Sequence, residues 1–415
     1  MNLFQVIELV RPKPHQGGSS GVLDRCHDIE DLRDVARRRL PPAVFDYVDG
    51  GADDEISLSA NRQAFRQVRF LPQALQDVSA PDLTTQLFGT GLAVPFGLAP
   101  TGYTRMVHSG GERAVARAAA ARGVPYTLST VASTALEDVS ATGNSNLWFQ
   151  LYVLRDRGLT HELVDRAAAA GYRVLELSVD TAVSGHRSRD VRNGLTIPPR
   201  LTLRTLMGIG ARPGYWTSML RGAPLTLANL QSATASSGGT TVARVNELFD
   251  PSVTWDDIAE IRQRWSGPLV LKGLLGPADI RRAVDVGVDG VHLSNHGGRQ
   301  LDRSITPLDL LRPARDAAGE CLAVLLDSGI RHGADIAAAV ALGADACFIG
   351  RPYLYGAAVG GTAGVERVID LLTAQLRRTM QLLGTADLTD LRKHGPGLVT
   401  LEHRPLPGRK STAHV

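Results

Sequence analysis

The chain has 415 residues, enough for one large domain or two ordinary ones with a substantial buried core. Apolar residues make up 43% and charged residues 21%, the balance of a soluble enzyme, and a formal net charge of +3 is too small to point to nucleic acid. The opening MNLFQVIELVRPKPH has neither the basic start nor the apolar length of a secretory signal, and no apolar run reaches the ~18–20 residues that cross a bilayer. A cytoplasmic protein is expected, with any membrane contact peripheral and on the inner face. Cys26, Cys321 and Cys347 lie far apart and fit neither disulfide nor zinc spacing, so a reducing compartment and no metal site are expected.

Residues 1–27 read as an N-terminal extension, 28–390 as the catalytic domain and 391–415 as a C-terminal tail. The first patterned segment, DIEDLRDVARRRL, predicts an amphipathic helix, and the turn-rich FDYVDGGADDE follows it. From residue 96 short apolar runs alternate with helical stretches. The runs are FGLAP (96–100), PYTLS (125–129), LWFQLY (147–152), RVLELSVD (173–180), LVLKG (269–273), GVHLS (290–294), AVLLD (323–327) and ACFIG (346–350). Between them lie pieces such as GERAVARAAAARG, DDIAEIRQRW, PADIRRAVDVG and GADIAAAVALG. Eight such β units predict an α/β (β/α)8 TIM barrel with an N-terminal helical extension. A doubly wound sheet would show about six strands and a phosphate turn after the first.

A long insertion, residues 187–255, separates the fourth and fifth runs. Its piece LTLRTLMGIGARPGYWTSMLRG mixes Arg204, Arg212 and Arg221 with Leu206, Met207, Tyr215, Trp216, Met219 and Leu220. That composition suits an interfacial membrane contact, and a lid or subunit contact is the alternative. Gly208, Gly210 and Gly214 follow no strand and have the wrong spacing for a dinucleotide turn.

Polar residues stand at the C-terminal ends of the eight runs, where the active sites of such barrels are built: Thr101, Ser129, Gln150 with Tyr152, Ser178 with Asp180, Lys272, Ser294 with His296, Asp327 and Arg351. In VHLSNHGGRQLD (291–302) His296 and Arg299 flank Gly297 and Gly298. Histidine serves as a base near neutral pH, and a guanidinium grips a carboxylate through two parallel hydrogen bonds. Asp180 is the candidate partner that stabilises the His296 imidazolium, and Arg187 a second clamp, with Tyr47 and Tyr152 beside the substrate. A purely structural His–Asp pair is the competing reading. The loops DSGIR (Asp327, Ser328, Gly329, Ile330, Arg331) and Gly350–Arg351 occupy the places after strands seven and eight that hold phosphate in this architecture. Lys272 ends strand five and brings a fixed cation to the same mouth, where a reduced ring would need one; a lysine paired with a structural acid is the alternative.

These residues resemble the FMN-dependent α-hydroxy-acid oxidase and dehydrogenase family over about residues 28–390. The matching motifs are SNHGGRQ from Ser294 to Gln300, FDYVDGGADDE around Tyr47, APTG at 99–102, FQLYVLRDRG at 149–158, SVDTAVSGHR at 178–187, LKG at 271–273, DSGIR and GRP. The resemblance implies FMN contacts at Pro100, Thr101, Gly102, Ser129, Gln150, Ser178, Lys272 and Ser294, with the phosphate at residues 327–331, Gly350 and Arg351. It also implies Tyr47, Tyr152, Arg187 and Arg299 as substrate contacts, His296 as the base, and oxidation of an L-2-hydroxy acid. Within the family the chain looks most like L-lactate dehydrogenases that reduce quinone. A peroxide-forming oxidase and, in another class, an FMN-barrel isomerase without net redox are the alternatives. Gly102 and Val131 depart from glycolate oxidases, where alanine and tryptophan are common. A homotetramer is usual in the family.

Overall fold

A computed structural model describes residues 19–193, 212–221, 225–230 and 247–401. Its centre is a closed barrel of eight parallel strands: β1 (Phe96–Leu98), β2 (Tyr126–Ser129), β3 (Leu147–Leu151), β4 (Val174–Ser178), β5 (Leu269–Lys272), β6 (Gly290–Leu293), β7 (Ala323–Leu326) and β8 (Ala346–Ile349). Each pairs with the next and β8 closes on β1, as the eight apolar runs predict.

Alternation along each strand turns every second side chain towards the barrel axis. The deepest inward positions are apolar: Trp148, Val174, Val270, Leu325 and Ala346 pack as one cluster. The next layer takes Thr127, Glu176, His292 and Phe348 from the four even-numbered strands, the layering expected of this barrel. Gln150, Lys272 and Asp327 follow, and Ser129, Ser178 and Ser294 reach the mouth. The interior therefore grades from hydrocarbon to charge along its axis. A hairpin, Thr85–Leu87 with Thr90–Leu92, closes the apolar end. Its two turn residues, Phe88 and Gly89, have φ of 49° and 71°, the left-handed pair that matches strand twist, and Phe88 packs 5.7 Å from Trp148.

The helices that build the rim come from both ends of the chain. In α1 (Ile29–Arg39) the Asp28 side chain accepts from the Asp31 amide, and Ile29, Leu32 and Ala36 form the buried stripe. Helix α2 (Pro42–Asp49) starts on a proline, whose missing N–H costs nothing there. Helix α3 (Ile56–Arg66) is capped from a distance: the Asp302 carboxylate accepts from the amides of Asp54, Ile56 and Ser57 at 3.2, 3.3 and 2.7 Å. Of the long insertion, α4 (Pro213–Arg221) docks through the Tyr215 hydroxyl on the Met106 carbonyl at 2.8 Å. Gly214 lies in its first turn and follows no strand. Arg204, Leu206, Met207, Gly208 and Gly210 fall outside the described residues, as does the Arg221 side chain.

Helix α5 (Arg351–Leu383) follows β8 and breaks at Gly360–Gly361, where Gly361 has φ of 57°. The segment expected to begin a tail at 391 is instead structured as far as 401. Helix α6 (Leu388–Leu398) buries Leu391 and Leu398, and Val399–Leu401 pairs antiparallel with Val68–Phe70. Those buried leucines explain the difference. No described helix is long and apolar enough to cross a membrane.

Candidate active site

The turn after β6 holds three successive left-handed residues, His296, Gly297 and Gly298, with φ of 57°, 67° and 74°. A Cβ on Gly297 would stand 2.5 Å from Arg351 Nη1, and one on Gly298 2.5 Å from the Leu58 amide nitrogen. His296 has no glycine's freedom, and its backbone strain of about 1–3 kcal/mol is held by its surroundings. Its amide donates to Ser294 Oγ at 3.0 Å, and the Gly297 amide donates to Ser328 Oγ at 3.0 Å. His296 Nδ1 lies 3.0 Å from Asp180 Oδ2, and Nε2 lies 3.3 Å from the Tyr152 hydroxyl. A proton on Nδ1 satisfies the carboxylate and leaves Nε2 as the basic nitrogen at the cavity. Gly273, with φ of 106°, makes room for this, since a Cβ there would meet Asp180 Cβ at 2.6 Å.

Arg299 Nη1 donates to the carbonyls of Tyr47 and Gly50 at 2.6 and 3.0 Å, and its guanidinium stands 5.0 Å from the Tyr47 ring centroid. Arg187 stands 5.9 Å from the same ring and pairs with Asp190 at 3.0 Å. Arg351 donates to the carbonyls of Val48, Gly297 and Gly50 at 3.0, 2.9 and 2.8 Å. The Arg331 guanidinium bonds only the Ile330 carbonyl, and its Nε has no partner among the described residues. None of the guanidiniums of Arg299, Arg331 and Arg351 has a carboxylate hydrogen-bond partner there. Burial, followed by the charge of Arg187, puts Arg299 below the usual arginine range. Burial, followed by the charge of Arg299, pushes Arg351 down to about 9. Half-buried guanidiniums whose hydrogen bonds go only to carbonyl dipoles form a site for anions. Gly329 (φ 106°) and Gly350 at the start of α5 add backbone N–H groups to it.

The opposite wall is paired internally. Lys272 Nζ lies 2.7 Å from Asp327 Oδ2 and 2.5 Å from Ser294 Oγ. Burial works against the ammonium, yet Asp327, Glu176 and Asp180 outweigh it and hold the Lys272 pKa above its ordinary value. Burial likewise opposes the Asp327 carboxylate, but Lys272 and His292 hold it well below the usual carboxylate range. Ser129 Oγ donates to Gln150 Oε1 at 3.0 Å, and Gln150 Nε2 donates to Ser178 Oγ at 3.1 Å.

One cavity is lined by Tyr47, Pro100, Thr101, Gly102, Ser129, Tyr152, Arg187, Lys272, His296, Arg299, residues 327–331, Gly350 and Arg351. Gln150, Ser294 and Asp180 stand behind its wall and bond residues that line it, whereas Ser178 bonds Gln150 and lines a neighbouring cavity. The Asp327 carboxylate turns to Lys272, away from the anion expected at its loop, because a carboxylate repels one. Lys272 is paired with an acid and also lines the cavity. Several lining residues were not anticipated. Phe249 packs at a tilt 4.4 Å from Tyr152, and Tyr103 meets Tyr47 edge-on at 6.4 Å. Phe249 carries no strand-end signal, since it lies in the long insertion. Gln300 joins two loops by donating to the carbonyls of Asp180 and Val183, both at 2.9 Å. Gly102 and Val131 prove to be one packing feature, because a Cβ on Gly102 would meet Val131 Cγ2 at 2.7 Å.

A family profile described as FMN-dependent dehydrogenase matches residues 36–395. A Mycobacterium tuberculosis (strain ATCC 25618 / H37Rv) protein named "Putative L-lactate dehydrogenase" is 48% identical over 393 residues, covering 92% of this chain and 94% of its own. An L-lactate dehydrogenase of Caulobacter vibrioides (strain NA1000 / CB15N) is 42% identical over 366 residues, covering 88% and 95%. Among solved structures, the monotopic membrane protein (S)-mandelate dehydrogenase superposes with a TM-score of 0.86 at 37% identity, covering 91% of this chain and 100% of its own.

Proposed function

Because this chain belongs to the FMN-dependent dehydrogenase family and is an α-hydroxy-acid oxidoreductase, we propose that it oxidises L-lactate to pyruvate at the His296–Arg299 site and passes the electrons to a quinone. The single observation that carries the reading is the setting of His296: its Nδ1 is tied to Asp180 at 3.0 Å, and its Nε2 faces the cavity that Arg299 lines.

FMN fits the residues present. The unpartnered Arg331 Nε, with Arg351 and the amides around Gly329 and Gly350, would take the phosphate. Ser129, Gln150, Ser178, Lys272 and Ser294 would meet the ring's polar edge, with Pro100, Thr101 and Gly102 on the facing strand end. Bound there, FMN supplies the two-electron acceptor. Arg299, assisted by Arg187, would hold the substrate carboxylate, and the Tyr47 and Tyr152 hydroxyls would bond the carboxylate and the 2-hydroxyl. His296 Nε2 would take the proton released as the hydroxyl becomes a carbonyl. Asp180 stabilises the imidazolium that results, so the base works without moving a charge into an unpaired position.

Likeness to (S)-mandelate dehydrogenase supports a second reading, in which the acid carries an aryl group. Anaerobic bleaching of the flavin with a panel of lactate, mandelate and glycolate distinguishes the two. His296→Ala should keep yellow bound FMN and lose bleaching by L-lactate; unchanged bleaching removes His296 from its role. The acceptor is tested by comparing peroxide yield with reduction of a quinone analogue, and peroxide formed at every turnover would refute the quinone. A peripheral membrane contact is supported by α4, where Leu220 is 81% exposed beside half-buried Trp216 and Met219. A homotetramer completes the proposal, and sedimentation equilibrium tests it.

A further inference from the structure

The layer beneath the proposed flavin site holds a charged pair that the reaction above does not use. Glu176 on β4 and His292 on β6 face the barrel axis and are fully buried. His292 Nδ1 lies 2.5 Å from Glu176 Oε1, and Nε2 lies 3.5 Å from Asp327 Oδ2. The same Asp327 oxygen is 2.7 Å from Lys272 Nζ. His292 Nε2 makes no hydrogen bond among the described residues and simply faces the Asp327 carboxylate, the side on which an imidazole proton is favoured over a lone pair. A His292 cation there would complete a row of alternating charge from Glu176 through His292 and Asp327 to Lys272.

Packing does not account for this row. Burying an ion pair forfeits its hydration, and apolar side chains of similar volume are commonly as stabilising or more so. The barrel uses such residues one step deeper, at Val174, Val270 and Leu325. Nor is the pair fully satisfied, since Glu176 Oε2 has no hydrogen-bond partner among the described residues. What the pair does touch is Asp327, the carboxylate that would otherwise neutralise Lys272.

We infer that His292, anchored by Glu176, is a positioning residue that shares Asp327 with Lys272 and so leaves the Lys272 ammonium able to stabilise negative charge on the FMN ring. The inference rests on the reading that this ring lies against Lys272. With His292 in place, the Asp327 charge is divided between two cations. Without it, Asp327 pairs with Lys272 alone, and the field at the ring weakens.

The test uses the holoenzyme and sulfite, which adds to oxidised flavin and leaves negative charge on the ring. In E176L/H292L the sulfite dissociation constant should rise at least tenfold, equivalent to about 30 mV in a two-electron midpoint potential. FMN should stay bound, and the melting temperature of the apoprotein should be unchanged or higher. A lower melting temperature with unchanged sulfite binding would make the pair structural and overturn the inference. Should the double variant fail to fold, His292→Gln keeps a polar side chain without the cation and should show the same loss; sulfite binding unchanged there also overturns it. Lys272→Met is the control. If it too leaves sulfite binding unchanged, the placement of the ring fails, and the inference falls with it.

Discussion

Two groups of cations line one cavity and are stabilised in opposite ways. Lys272 has its counter-charge built in, 2.7 Å away on Asp327, and its pKa is raised. Arg299 and Arg351 have only carbonyl dipoles, and burial lowers theirs. The difference separates fixed charges that belong to the protein from charges whose partners arrive with ligands. An internally paired cation shapes a field at all times, whereas an unpaired one gains most when an anion binds.

The sharpest way to break this division is Arg299→Met. If Arg299 waits for the substrate carboxylate, kcat/KM for L-lactate should fall by about 10²–10³, within the 2–5 kcal/mol expected for one partner of a buried charged pair, with FMN content unchanged. Steady-state kinetics that showed no loss would move Arg299 out of the anion-binding group. Arg331→Gln examines the phosphate end: the FMN dissociation constant should rise about 10–100-fold, the loss of a hydrogen bond to a charged group, as read by fluorescence titration of the apoprotein. An equal loss of turnover at saturating FMN would instead implicate Arg331 in the chemistry. Gly297→Ala puts a methyl group 2.5 Å from Arg351 Nη1 at φ of 67°, and should destabilise the fold by about 1–3 kcal/mol in a denaturant titration while weakening FMN.

The smallest effect sharpens the paired side. Asp49 is held by Arg33 at 2.6 Å and by the Tyr355 hydroxyl at 2.8 Å. Burial opposes its ionisation, but those bonds prevail and hold its pKa at about 2. Its folded value lies below its unfolded one, so the stabilisation is complete above the unfolded value and is lost as pH falls towards 2. Asp49→Asn should therefore cost at most about 2 kcal/mol at neutral pH, with the gap from wild type closing on acidification. A gap independent of pH would assign the loss to packing.

Much of this was legible in the chain itself. Each barrel strand appeared as an apolar run with a polar residue at its end, and the paired glycines after His296 marked a turn that only such residues accommodate. Glu176 and His292 were not legible as a pair. A barrel strand is covered on both faces, so an inward charge and an outward one look alike in the sequence. The bonds from Arg299 and Arg351 to the carbonyls of α2 and the turn after it were hidden for another reason. They join positions 249 to 303 residues apart, and no local pattern registers such a distance. The ordered segment after residue 391 was missed because Gly395 and Pro396 read as helix breakers, although Leu388, Leu391 and Leu398 share one helical face.

Those long bonds also bear on how the molecule is made. Arg351 is synthesised 301 residues after Gly50, to whose carbonyl it donates. At about 5–20 residues per second the first helices leave the ribosome roughly 15–60 s before that partner exists. Tyr47 can meet Arg299 earlier, but the carbonyls of Val48 and Gly50 gain Arg351 only once the last strand of the cylinder has been translated. The cavity therefore cannot be completed before almost the whole chain exists.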